Sequence, residues 1–284
     1  MKTNVVVSLV LFASLMSTAS VKADVISVSS GEIVMFNDTF ADNSNGWSNI
    51  AVLNGTGTAT SGKAAIGSGE WTPSIPDNHT GVTSVTTNFS ALDLSAGAIS
   101  LYMNVNVEDY YKNPAHSRYG IKLYNSGAGG GSFDFEIMPN NGTITNQEPY
   151  IQYTAAAGGS QTDYFGSTTS IIKNGLDYYS FKMTITAAET AGQANIQTYY
   201  YDDDNSSYVA WGTNSVLAGT GTGLTTDLFN TLTIYNRNGN AISGGSDAAK
   251  FSQVTVTQVP EPGSIAMMLI GGLAMGMFFI RRKK

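Results

Sequence analysis

Five apolar residues spaced two apart, Ile99, Leu101, Met103, Val105 and Val107, constrain the fold of this chain more than any other feature. Period two puts them on one side of an extended strand and Ser100, Tyr102, Asn104 and Asn106 on the other, whereas a helix would scatter them around its axis. Tyr179, Phe181, Met183 and Ile185 repeat the pattern, interleaved with Ser180, Lys182, Thr184 and Thr186. Shorter runs predict strands over 32–36, 82–89, 119–124, 133–137, 150–154, 196–201, 231–235 and 251–257. Between the runs stand Asn45-Gly46, Asn54-Gly55, Asn141-Gly142, Asn174-Gly175 and Asn238-Gly239, pairs that accept the positive φ of tight turns. About ten or more strands punctuated in this way predict an all-β fold, a two-sheet antiparallel β-sandwich. No change of composition and no fixed-period repeat divides 24–258, so one domain is expected there.

Both ends of the chain read differently from this body. Met1-Lys2, an apolar stretch over 5–16 and the small-x-small sequence Val21-Lys22-Ala23 predict a secretory signal peptide over 1–23, cleaved between Ala23 and Asp24. The other end, 259–284, runs Val259-Pro260-Glu261-Pro262-Gly263-Ser264, then an uncharged apolar run over 265–280, then Arg281, Arg282, Lys283 and Lys284. The run predicts a single transmembrane helix and the basic cluster a stop retained on the cytoplasmic side. Sixteen helical residues at about 1.5 Å each span about 24 Å, short against a hydrocarbon core of about 30 Å, so the anchor is marginal. Pro260 and Pro262 are expected to end any arriving strand and leave the motif extended and accessible.

Charge and cysteine content exclude several functions for the body. The chain has 14 basic and 21 acidic residues; without Lys2, Lys22, the four terminal basic residues and Glu261, the body keeps 8 against 20. A surface so acidic repels nucleic acid and anionic lipid. With no cysteine and only His79 and His116, the chain has no disulfide, no thiolate metal site, no Cys nucleophile and no His-rich metal centre. No G-x-S-x-G elbow occurs, and the glycine run 127–131 lacks the Lys and helix start of a phosphate cradle.

The tail resembles a PEP-CTERM sorting signal: Pro-Glu-Pro, one apolar span and a basic terminus behind a signal peptide. That resemblance implies a Gram-negative bacterium, an exosortase-type enzyme that removes the tail, and a route through the inner membrane to the envelope or extracellular matrix. It further implies association with exopolysaccharide or biofilm material. In the body, Asp38-Thr39-Phe40-Ala41-Asp42 followed by Gly46-Trp47 is similar to the opening of concanavalin A-like and laminin-G-like jelly rolls. Phe40 and Trp47 are expected to pin the first strand onto the core.

Three groups of residues are candidates for chemistry. Ser132-Phe133-Asp134-Phe135-Glu136 puts Ser132, Asp134 and Glu136 on one face of a strand and resembles the Glu-x-Asp-x-Glu strand of laminarinase-like glucanases. Ser132 stands where that family has its nucleophile, and retaining hydrolysis needs a second carboxyl, so no enzyme is expected. Asp202-Asp203-Asp204 is a candidate set of oxygen ligands for Ca²⁺, the one cofactor considered. Tyr208 and Trp211 beside it are candidates for stacking on a sugar, as are Tyr110, Tyr111, Tyr150, Tyr153, Tyr164, Tyr178, Tyr199 and Tyr201. The leading reading is a matrix-associated exported protein, the alternative a calcium-assisted lectin, and a polysaccharide hydrolase comes third.

Overall fold

A computed structural model describes residues 26–54, 59–60, 64–67, 69–73, 81–106, 118–127, 131–139, 146–154, 160–164, 169–170, 178–190, 193–218, 228–238 and 249–260. The expected signal peptide with Ala23 and Asp24 lies outside them. So do Glu261, Pro262, the apolar run, Arg281 to Lys284, Val107, Tyr110, Tyr111, His79, His116 and most of the Asn-Gly turns.

The strands, in chain order, are β1 (Ile33–Asp38), β2 (Ser48–Asn54), β3 (Ala59–Thr60), β4 (Ala64–Gly67), β5 (Glu70–Pro73), β6 (Gly81–Asp93), β7 (Gly97–Asn106), β8 (Arg118–Tyr124) and β9 (Ser132–Pro139). They continue with β10 (Asn146–Thr154), β11 (Ser160–Tyr164), β12 (Thr169–Ser170), β13 (Tyr178–Ala187), β14 (Gln193–Asp202), β15 (Ser207–Ala218), β16 (Leu228–Asn238) and β17 (Lys250–Pro260). Among the described residues the one helical piece is a 3₁₀ turn at Leu94–Ala96, capped by the Asp93 side chain. No helix among them is long and apolar enough to cross a membrane.

Every pairing is antiparallel, and the strands form two sheets. Sheet A runs β15-β14-β13-β7-β17-β5-β4, with β1 also on β17; sheet B runs β11-β10-β9-β8-β16-β6-β2-β3, with β12 also on β10. Their inner faces meet. Ile99, Leu101, Met103, Phe181, Met183, Val254 and Val256 of sheet A share one core with Val85, Ile121, Leu123, Phe133, Phe135, Leu232 and Ile234 of sheet B. The Tyr119 and Phe181 rings, 6.3 Å apart, join the two layers. Each such side chain contributes about 1.5–3 kcal/mol on burial, which lets the sandwich stand without disulfides.

The first corner shows why the Asp-x-Phe…Gly-Trp pattern matters. Buried Asp38 accepts from the Phe40 amide at 2.7 Å and from the Trp47 indole N–H. Phe40 is fully buried at φ 53, a left-handed conformation held by that hydrogen bond and by its 5.6 Å contact with the Trp47 ring. Asn43 closes the loop by accepting from the Trp47 amide at 2.9 Å.

The second face of β7 departs from a simple inside-outside alternation. Ser100, Tyr102 and Asn104 are as buried as their apolar neighbours. Residues 26–32 cross the outer face of sheet A and cover them: the Ile26 amide donates to Gln253 Oε1 at 2.9 Å, and Tyr102 Oη donates to Glu32 Oε2 at 2.6 Å. A strap from distant sequence, not the strand's own pattern, buries that row.

Candidate functional site

On sheet B the face turned away from the core is polar across four strands. Register aligns Ser84, Tyr235, Gly120 and Glu136 in one row, and Thr86, Thr233, Lys122 and Asp134 in the next. A third row holds Asn88, Thr231, Tyr124 and Ser132. Side-chain hydrogen bonds stitch these rows: Thr86 to Thr233 at 2.8 Å and Thr231 Oγ1 to Asn88 Oδ1 at 2.9 Å.

The two carboxylates of the glucanase-like strand sit in the middle of this face, as strand alternation predicts. Glu136 accepts from Arg118 Nη1 at 2.9 Å through one oxygen and from Tyr235 Oη at 2.7 Å through the other. Tyr235 reaches it across Gly120, where a Cβ would come within 2.4 Å of the Phe135 carbonyl oxygen. Asp134 pairs with Lys122 Nζ at 3.2 Å. Burial pushes the Asp134 carboxyl up to about 6 against the pull of Lys122, and the neighbouring Glu136 charge adds to the rise. Burial, then the charges of Asp134 and Glu136, hold the Tyr235 phenol far above its usual value, so it acts as a hydrogen-bond donor. The result is two carboxylates matched by two cations, rimmed by hydroxyls and amides. Asp134, Glu136, Ser132 and Tyr235 are themselves buried, and the partly exposed groups at this centre are the side chains of Arg118 and Lys122. Ser132 keeps the third position of the strand face and supplies a hydroxyl, not a carboxylate.

Arg118, Lys122 and Tyr235 carry this arrangement, and sequence reasoning did not select them. Their strands were legible; the signal missed was the pair of isolated cations at Arg118 and Lys122, four residues apart and so on one face of β8.

Sheet A has a second polar centre, closed beneath the strap. Lys182 Nζ donates to Glu32 Oε1 at 2.7 Å and to Ser29 Oγ at 3.0 Å, and lies 4.9 Å from the Tyr102 ring and 5.6 Å from that of Tyr199. Burial pushes the Glu32 carboxyl upward, but hydrogen bonds from Lys182, Thr257 and Tyr102 outweigh it and hold the carboxyl below its usual value.

Asp202, Asp203 and Asp204 lie at the turn after β14, as the sequence expects, but the aromatic residues beside them are placed differently. Asp202 caps the β14–β15 turn, accepting from the Asp204 amide at 3.2 Å and from Asn205 Nδ2 at 2.6 Å. Among the described residues no three acidic or His side chains group as a metal site, Asp202, Asp203 and Asp204 included. Trp211 is a correction: it is 1% exposed and its ring stacks on Phe181 at 5.7 Å in the core, where no sugar reaches it. The β14–β15 register has an irregularity between Ile196 and Thr198, and Trp211 pairs with Thr198 just beyond it, on the inward row. Tyr208 packs edge-on against Tyr102 at 5.5 Å and Tyr201 at 5.2 Å, and its phenol is buried.

The tail motif begins inside the fold. Val259 pairs with Ala98 and Pro260 with Gly97, so the strand does not stop before the motif as the prolines suggested. β1 reaches only to Gln258, leaving Val259 and Pro260 with β7 on one side, and an unpaired edge tolerates a residue without an N–H.

These observations meet the comparisons with known proteins at the tail. A family model described as the PEP-CTERM protein-sorting motif matches residues 258–283. The chain carries a PEP-CTERM sorting motif. No curated protein matches it in sequence. Among solved structures, the sandwich is similar to the CBM2 module of an evolved Dit from Lactobacillus casei BL23 phage J-1, with TM-score 0.51, 12% identity, and coverage of 81% of this chain and 97% of that one. It is also similar to a mutant non-specific endo-β-1,3(4)-glucanase of family GH16 crystallised with 1,3-β-D-cellobiosyl-cellobiose, at TM-score 0.50, 11% identity, and coverage of 82% and 97%. At such identity the likeness establishes the jelly-roll, concanavalin A-like fold and nothing about activity. Ahead of the PEP-CTERM motif, therefore, stands a concanavalin A-like sandwich.

Proposed function

We propose that this protein is an exosortase substrate exported to the cell envelope or extracellular matrix, where its sandwich binds exopolysaccharide without cleaving it. The observation that carries this reading is the polar face of sheet B, with Glu136 held by both Arg118 and Tyr235. A glycan offers many neutral hydroxyls, and rows of Thr, Asn, Tyr and paired charges answer them with donors and acceptors at fixed spacing. The corresponding face of sheet A is covered by its own strap, whereas on sheet B Arg118 and Lys122 remain partly exposed above the buried carboxylates and are the groups a ligand would meet first. Hydrolysis by the retaining route needs an ionised nucleophile beside a protonated acid. Here Ser132 replaces one carboxylate and both oxygens of Glu136 are engaged, which favours binding over cleavage.

Glycan-array binding of the sandwich, with reducing-sugar release measured on the best ligand, tests the reading. Binding without release is expected, and Lys122→Ala with Tyr235→Phe should weaken it at least tenfold. Release of reducing ends would establish a hydrolase instead, and an array blank for the parent protein would remove the glycan from the reading.

A further inference from the structure

Among the described residues, three large aliphatic side chains are half exposed: Ile33 at 51%, Val34 at 49% and Leu228 at 50%. Ile33 and Val34 are neighbours on β1 of sheet A and point to opposite faces, while Leu228 is on β16 of sheet B, yet the register brings all three to one end of the sandwich. Ile33 pairs with Gln258, Gln258 Nε2 donates to the Asp93 carbonyl at 2.6 Å, and Asp93 pairs with Leu228. The end of the sandwich so marked is also the end at which Pro260 pairs with Gly97 and the chain leaves the sheet. The opposite end carries the acidic turn after β14, with Asp203 and Asp204 exposed. The half-exposed aliphatics thus lie at the exit of the tail, with the exposed Glu189 of the β13–β14 turn at the same end, and Asp203 and Asp204 lie away from it.

Chain length then limits where that end can be. Four residues, 261–264, separate Pro260 from the first residue of the apolar run, Ile265. Fully extended, the five steps from Pro260 to Ile265 reach at most about 18 Å, taking about 3.5 Å per residue. The polar layer of a bilayer is itself about 5–8 Å deep on each side of the hydrocarbon. A sandwich tethered so closely has its exit end at the headgroups, where exposed aliphatic side chains gain by leaving water and an acidic surface would be repelled.

We infer that this end of the sandwich rests on the bilayer while the tail is inserted, with Ile33, Val34 and Leu228 entering the interfacial layer. The Pro-Glu-Pro motif then lies between the sandwich and the inserted run, within chain reach of the headgroups. This rests on the reading that 265–280 inserts in the membrane. After removal of the tail the same patch is released with the protein.

The absence of cysteine makes the test clean. Ile33→Cys, Leu228→Cys, Asp203→Cys and Ala274→Cys, each in the full chain, are labelled with an environment-sensitive fluorophore and reconstituted in phosphatidylcholine nanodiscs containing doxyl-labelled lipid. Quenching is expected at 33, 228 and 274 and not at 203. Quenching at 274 alone overturns the inference while leaving tail insertion standing. No quenching at 274 overturns insertion itself and the inference with it. Labels at 33 and 228 that are shielded from aqueous iodide but not quenched by lipid would show a protein partner on the patch, which also overturns it.

Discussion

Lys182 Nζ lies 2.7 Å from Glu32 Oε1, with the two side chains 9% and 5% exposed, and so joins the middle of β13 to the strap at the start of the described chain. Removing one partner of a buried pair strands the other, at a cost of about 3–5 kcal/mol. Glu32→Ala is therefore expected to lower stability by that amount in urea denaturation, whereas the double replacement Glu32→Leu with Lys182→Met costs less. Equal losses for the single and double variants would show that the charges are not coupled. Because the folded-state Glu32 carboxyl is held below its usual value, its contribution is complete above about pH 4.5 and declines as acid protonates it.

Asp134 titrates with the opposite sign. Its folded-state value of about 6 lies above the ordinary 3.8, so the native state holds a proton that the unfolded chain releases. Stability should rise as pH falls from about 6 toward about 4, by at most about 3 kcal/mol at 1.36 per unit. Asp134→Asn should flatten this slope between those pH values in thermal melts. An unchanged slope in the variant would assign the effect to another group.

Gly97 is where the sheet grips the start of the sorting motif. A Cβ there would fall 1.7 Å from the Val259 carbonyl oxygen, and φ is 143°. Gly97→Ala should cost at least about 2 kcal/mol and detach Val259 and Pro260 from β7. Faster hydrogen exchange confined to the end of β17 is the expected signature, and uniform exchange through the strand would argue against local fraying.

Trp211→Ala should cost about 3–5 kcal/mol, as loss of a large core side chain does. Asp203→Ala in the exposed turn should change stability by less than about 0.5 kcal/mol. Similar midpoints for the two would contradict the inward placement of Trp211.

Sorting has its own expected outcome. Glu261→Ala or Pro262→Ala should leave the protein uncleaved and membrane-held, read by mass spectrometry of the released and retained forms. Secreted protein that still ends in Arg281 to Lys284 would count against removal of the tail.

Strand identity, the two-sheet class, the corner at Asp38 and Trp47, and the sorting tail were all legible in the linear sequence. Each is a local or periodic property: alternation sets which residues share a face, and the motif residues are contiguous. The ten alternating runs all became strands, while β2, β3, β4, β5, β11, β12 and β15 were not anticipated because they are short, poor in apolar residues or offset by a register shift. What the tertiary structure alone decided is which faces are covered and which side chains meet. Ser100, Tyr102 and Lys182 read as an outward row until a strap about 70 to 150 positions away in sequence sealed them. Tyr235 and Glu136 are 99 positions apart and meet across Gly120, and Trp211 went to the core and not to a sugar. Alternation assigns a residue to a side of its own strand, but whether that side meets water depends on chain segments that only the fold brings there.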